Sequence, residues 1–268
     1  HHLWAQKWDR SLEDIFEVQD EVSTSIAAQV NPTLGSYERE RIERTKPNNF
    51  NAWETYLKAL HFFNDRNPSD YEDIELAEAR RLCEQAIELD DSMSVVYSLL
   101  AQICVSELLQ FTSGDSNKTV DDILQNAQKA SELDSKNPIA ADHIARYYFF
   151  SGNFAQGRNH AERAVKLNPS YPDAQNTLGQ ALAHTGEYAD SEKHFNKAIE
   201  LNPLDPNAIL YKDGLFFAQM GLGNYEVALD LIEEIISQFP KTGNRRGFKA
   251  SVMGYLNKGD EAKRALDE

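Results

Sequence analysis

Two cysteines in 268 residues leave no disulfide framework to find. Cys83 and Cys104 fall on apolar helix faces of neighbouring segments, where they read as reduced core residues or, alternatively, as a pair close enough to bridge artificially. Positive charge is also scarce: 27 Lys and Arg stand against 43 Asp and Glu, a formal net charge of −16. That balance argues against a general electrostatic grip on nucleic acid or anionic lipid and favours a basic partner only weakly. Much of the acidic excess is solvated helix surface, at 38–43 and 72–84. No apolar run approaches the ~18 residues of a membrane span, and no secretory pattern stands at the start, so a cytoplasmic compartment is expected.

Catalytic signatures are missing as well. His61, His143, His160, His184 and His194 show no i, i+4 pairing and no Cys/His cluster at zinc spacing, and His1-His2 carry no metal assignment. Gly221-Leu222-Gly223-Asn224 is too short for a phosphate-binding loop and reads as a turn between helices. No serine or cysteine sits in a nucleophile motif, so neither enzymatic activity nor a cofactor is expected of this segment.

What the chain does have is periodicity. Pro138, Pro172 and Pro206 are 34 residues apart, and Ile144/Leu178, Ala145/Gly179, Tyr148/Leu182, Gly152/Gly186, Ala164/Ala198 and Pro169/Pro203 keep the same interval. Within each copy, apolar residues at helical spacing run to a break at Ser151-Gly152-Asn153. A second helix then carries Ala161, Ala164, Val165 and Leu167 before Asn168-Pro169. Small residues at Gly157 or Ser191 let backbones approach, and Tyr148, Phe154, Tyr188 and Phe195 fill the gaps. This period with these residues resembles the tetratricopeptide repeat. The resemblance implies an all-α, right-handed α-solenoid of helix hairpins, each burying its apolar face only by stacking on the next.

The register extends outward less regularly. Copies starting near Trp53 and Tyr97 each hold about ten surplus residues, expected as expanded turns at 64–73 and 110–119. Gly223-Asn224-Tyr225 to Pro240 form a fifth copy, and 243–268 begin a sixth that ends within its second helix, on an apolar stripe of Ala262, Ala265 and Leu266. The expected organisation is therefore a leader at 1–45 and an array at 46–268, about five repeats plus a truncated sixth. Either the chain is a fragment or its last helix caps weakly.

The leader does not repeat. Ser11 and Asp14 make a capping-box-like start, and Leu12, Ile15, Phe16, Val22, Ile26 and Val30 share one helix face up to Asn31-Pro32. Leu3-Trp4-Ala5, Leu12-Glu13-Asp14-Ile15-Phe16, Val18-Gln19-Asp20-Glu21-Val22 and Asn51-Ala52-Trp53 resemble a junction in multidomain bacterial signalling proteins. In those proteins a class III adenylate/guanylate cyclase domain, or a winged-helix DNA-binding domain, precedes a small α/β domain resembling the amino-terminal domain of TolB, then tetratricopeptide repeats. The resemblance implies a missing upstream domain that would hold any catalytic metals. It leaves cyclase, transcriptional regulator and passive spacer open as settings for this segment.

Function is then expected on surfaces, through a protein or peptide partner or self-association. In a tetratricopeptide stack the first helix of each hairpin lines the concave face. That points to Asp142, His143, Arg146 and Phe149, then Asn176, Thr177, Gln180 and Ala183, with Ser98, Gln102 and Val105 continuing the row. Arg146 is the only fixed cation of the set, so the lysine/asparagine/arginine pattern of repeats that clamp chaperone carboxyl termini is not reproduced. Trp4 and Trp8 either pack back on the leader helix or make a contact of their own.

Overall fold

The structure, a computed structural model, describes Val22, Arg44 and residues 48–65, 74–109, 114–203, 208–238 and 245–267. Expectations for Trp4, Trp8, nearly all of the leader helix, residues 66–73 of the first surplus segment and residues 110–113 of the second lie outside the described residues.

Among the described residues, twelve helices follow in chain order: α1 (Phe50–Asp65), α2 (Ile74–Leu89), α3 (Ser94–Leu109), α4 (Ser116–Leu133), α5 (Pro138–Phe150), α6 (Phe154–Leu167), α7 (Pro172–His184), α8 (Tyr188–Leu201), α9 (Ala208–Leu222), α10 (Tyr225–Gln238), α11 (Arg245–Tyr255) and α12 (Gly259–Asp267). The same residues contain no strand. Consecutive helices pair as hairpins, and the first helix of each hairpin also packs on that of the next, α1 on α3, α3 on α5, α5 on α7 and α7 on α9. This is an α-solenoid.

The local signals act as their chemistry dictates. Pro138 opens α5, and the Asn137 side chain accepts hydrogen bonds from the Ile139 and Ala140 amides, satisfying donors the first turn leaves without helical partners. Helix α5 ends where Gly152 turns left-handed at φ 74°, and the Asn153 amide reaches back to the Tyr148 carbonyl at 2.7 Å. Gly186, Gly223 and Asn257 repeat that left-handed turn at the ends of α7, α9 and α11.

Crossings are built from small residues. Ala145, Ala161, Ala164, Ala181 and Ala198 are all fully buried. Ser191, also fully buried, donates its hydroxyl to the Gly179 carbonyl at 2.7 Å and ties α8 to α7. Between hairpins, Arg80 holds Glu107 through two bonds of 3.0 and 2.7 Å and also reaches the Cys104 sulfur at 3.3 Å. Cys83 and Cys104 are buried and free; burial pushes the Cys83 thiol up to about 12, so both behave as core residues. Upstream of the array, the Arg44 guanidinium bonds the Asp134 carboxylate at 3.1 Å.

The second hairpin corrects one expectation. Helix α3 has 16 residues against 13 in α5, and α4 has 18 against 14 in α6. Most of the surplus therefore lengthens the helices themselves. Asp115 caps α4 by accepting from the Asn117 and Lys118 amides, so the polar run from Ser116 is solvated first-turn helix and not a protruding turn.

Candidate functional site

Position on the helix is legible from the repeat register, but depth is not. Asp142 and Thr177 are fully buried, Asn176 is 1 % and His143 2 % exposed, so these four are corrected from groove contacts to interior groups. The physical reason is lateral packing: α5 lies against both α3 and α7, and side chains between neighbouring first helices are covered. Ser98 is buried too, bonded by the Asn137 amide at 2.9 Å, and Val105 joins the core. Of the seven principal candidates, Arg146, Phe149 and Gln180 keep some exposure, as do Gln102 and Ala183 in the extended row.

Arg146 is a cross-hairpin pin. Its Nε donates to Asp142 at 2.8 Å and its guanidinium lies 3.6 Å from Asp173 at the start of α7; Asp173 in turn accepts from the Tyr211 hydroxyl of α9 at 3.1 Å. Burial opposes the charge on Arg146, but Asp142 and Asp173 outweigh it and keep the guanidinium ionised well above its usual range. A cation shared by two carboxylates has little left for an anionic ligand. Beside it, burial lowers the His143 imidazole to about 4, against the pull of Asp142, so the ring is neutral at neutral pH.

This pin yields a direct expectation. Arg146→Met leaves the Asp142 charge buried without its partner and should cost about 3 kcal/mol, the lower end for breaking a buried pair because Arg146 keeps 12 % of its side chain exposed. Asp142→Asn combined with Arg146→Met should cost less than Arg146→Met alone in chemical denaturation. A single variant as mild as the double would show that Asp142 does not depend on Arg146.

Phe149 and Gln180 open onto a groove of about 850 Å³ that runs from α5 across α7 to α9 and reaches Tyr225 and Tyr255. Its shape depends on missing side chains. A Cβ on Gly214 would overlap Cε1 of Phe195, and one on Gly221 would lie 2.5 Å from the Tyr188 ring. Bare α9 backbone thus lets both rings lean across from α8, and the groove forms in front of them. Aromatic residues set its character: Phe150 is 43 %, Phe217 46 % and Tyr255 62 % exposed. Phe154 stacks on His184 with centroids 4.3 Å apart, and Tyr225 on Tyr255 at 4.8 Å.

Sequence reading misses this groove because it gives Phe154 and Tyr188 a gap-filling role and Phe150, Phe217 and Tyr255 none. The available signal is the clustering of Tyr147-Tyr148-Phe149-Phe150 and Phe216-Phe217. Adjacent aromatics cannot all face one buried helix stripe. Among the described residues no group of three His, Cys, Asp or Glu is arranged to hold a metal ion, and no helix is long and apolar enough to cross a membrane.

Comparison with known proteins agrees with this architecture. The tetratricopeptide repeat family model matches residues 144–206, the two most regular copies. Among solved structures, a thermophilic tetratricopeptide-repeat protein of Thermus thermophilus superposes with a TM-score of 0.55 at 16% identity, over 75% of this chain and 98% of that one. A tetratricopeptide repeat protein from Parabacteroides merdae ATCC 43184 gives 0.51 at 18% identity, over 81% of this chain and 77% of the other. Among curated proteins, one named "Putative adenylate cyclase 3", of Rhizobium meliloti (strain 1021), is 29% identical over 137 residues. That stretch is 51% of this chain but only 22% of the length of the relative.

Proposed function

We propose that the chain is a non-catalytic, protein-binding scaffold module of a multidomain bacterial signalling protein whose other part is a nucleotide cyclase. The aromatic groove carries this reading. Exposed Phe150, Phe217 and Tyr255 cost solubility unless something covers them, and clustered exposed aromatics characterise protein-binding surfaces. A passive spacer has no use for such a surface. Phe149 and Gln180 serve as contacts on the α5 and α7 side, with Arg146 holding those two helices in register.

Similarity to the Rhizobium relative supports a cyclase over a winged-helix regulator as the parent, in line with the junction resemblance at residues 3–60. The net charge of −16 supports a protein rather than a nucleic-acid partner. The catalytic half of the reading is tested by incubating the chain with ATP or GTP and Mg²⁺ or Mn²⁺. No cyclic nucleotide is expected, and measurable conversion would overturn the non-catalytic assignment.

A further inference from the structure

The groove has a charge character as well as a shape. Eight of its lining residues are Phe or Tyr, and none is Lys or Arg. The face of an aromatic ring is the negative part of its quadrupole and attracts a cation placed within about 6 Å of the centroid. Asp213, the one carboxylate in the lining, is held by Arg245 through a bond of 3.0 Å to Oδ1, so this pair leaves no free positive charge in the wall. Glu226, the residue after Tyr225, is exposed but does not line the groove. An anionic segment would meet ring faces and a chain of net charge −16; a cationic one would be drawn by both.

From this wall we infer that the occupant is a segment of a partner protein in which a Lys or Arg lies close to a bulky apolar side chain. The apolar side chain seats against Phe150, Phe154 and Phe217. The cation lies over the Tyr225 and Tyr255 ring pair, whose planes are 14° apart and whose outer member is 62 % exposed. The inference rests on the reading of the groove as a protein-binding surface and adds the chemistry of what binds.

Panning a random peptide display library against the full chain tests it, with Tyr255→Leu and the double variant Phe150→Ser/Phe217→Ser as comparators. Peptides enriched on the unaltered chain should carry Lys or Arg within about four residues of an aromatic or aliphatic side chain, the reach of one helical turn. Their affinity should fall about three- to thirty-fold on Tyr255→Leu, which keeps the apolar surface but removes a ring face. Groove-dependent peptides without a basic residue, or with an acidic one, would overturn the cation assignment and leave the protein-binding reading standing. Peptides that bind the double variant as well as the unaltered chain, or no enrichment at all, would overturn both.

Discussion

Phe195→Ala should destabilise the chain by about 3–5 kcal/mol, the range for truncating a fully buried aromatic. Phe195 is 1 % exposed and wedged between α7 and α9: a Cβ on Gly179 would lie 2.9 Å from its ring, and one on Gly214 would overlap it. Two walls of its site are glycine backbone, and the side chains packed around it, Leu215, Ala218, Ile199 and Leu231, refill only part of the cavity left behind. In a solenoid each hairpin is stabilised by its neighbours, so the loss falls on the junction between α7–α8 and α9–α10. Urea denaturation followed by circular dichroism should show a lower midpoint and a transition broadened or split at that junction. A cost below about 1 kcal/mol, within the range of a tolerated core swap, would contradict the wedge. The complementary change, Gly214→Ala, pushes a methyl into the same ring and should cost about 1–3 kcal/mol, despite the roughly 1 kcal/mol that alanine gains over glycine in a helix.

The hairpins from α5 to α8 were legible because each signal has a local cause that repeats. Pro138 and Pro172 fit the first turn of a helix, and Gly152 and Gly186 adopt the left-handed turn that ends one. The surplus in the second hairpin was legible as a number but not as a structure. Polar residues such as Ser116, Asn117 and Lys118 suit a loop and the outer face of a first helical turn equally, and the Asp115 cap decides between them.

At the site, the register fixes which helix face each residue occupies. How far the next first helix covers that face is a property of packing between copies, which a one-copy pattern does not contain. Hence Asp142 and Asn176 read from sequence as groove residues and are buried, while Phe149 and Gln180 do reach the groove. The groove itself needs Gly214 and Gly221 of one hairpin to face Phe195 and Tyr188 of the preceding one, a pairing visible only once the two are stacked.

The largest effect on binding is expected from removing the groove's exposed rings. Phe150 has no aromatic stacking partner among the described contacts, and Phe217 packs edge-on against Phe216 and Phe248 while keeping 46 % exposure. Converting both to serine therefore changes the surface more than the core. Interface aromatics act as hot spots worth about 2 kcal/mol or more each, roughly thirty-fold in affinity. Isothermal titration of a peptide selected on the unaltered chain into the Phe150→Ser/Phe217→Ser variant should show affinity reduced about thirty-fold or more, with a melting temperature within a few degrees of the parent. Affinity retained within about twofold, in a variant that melts as the parent does, would mean that the chain binds its partners elsewhere and that the aromatic groove is not its functional surface.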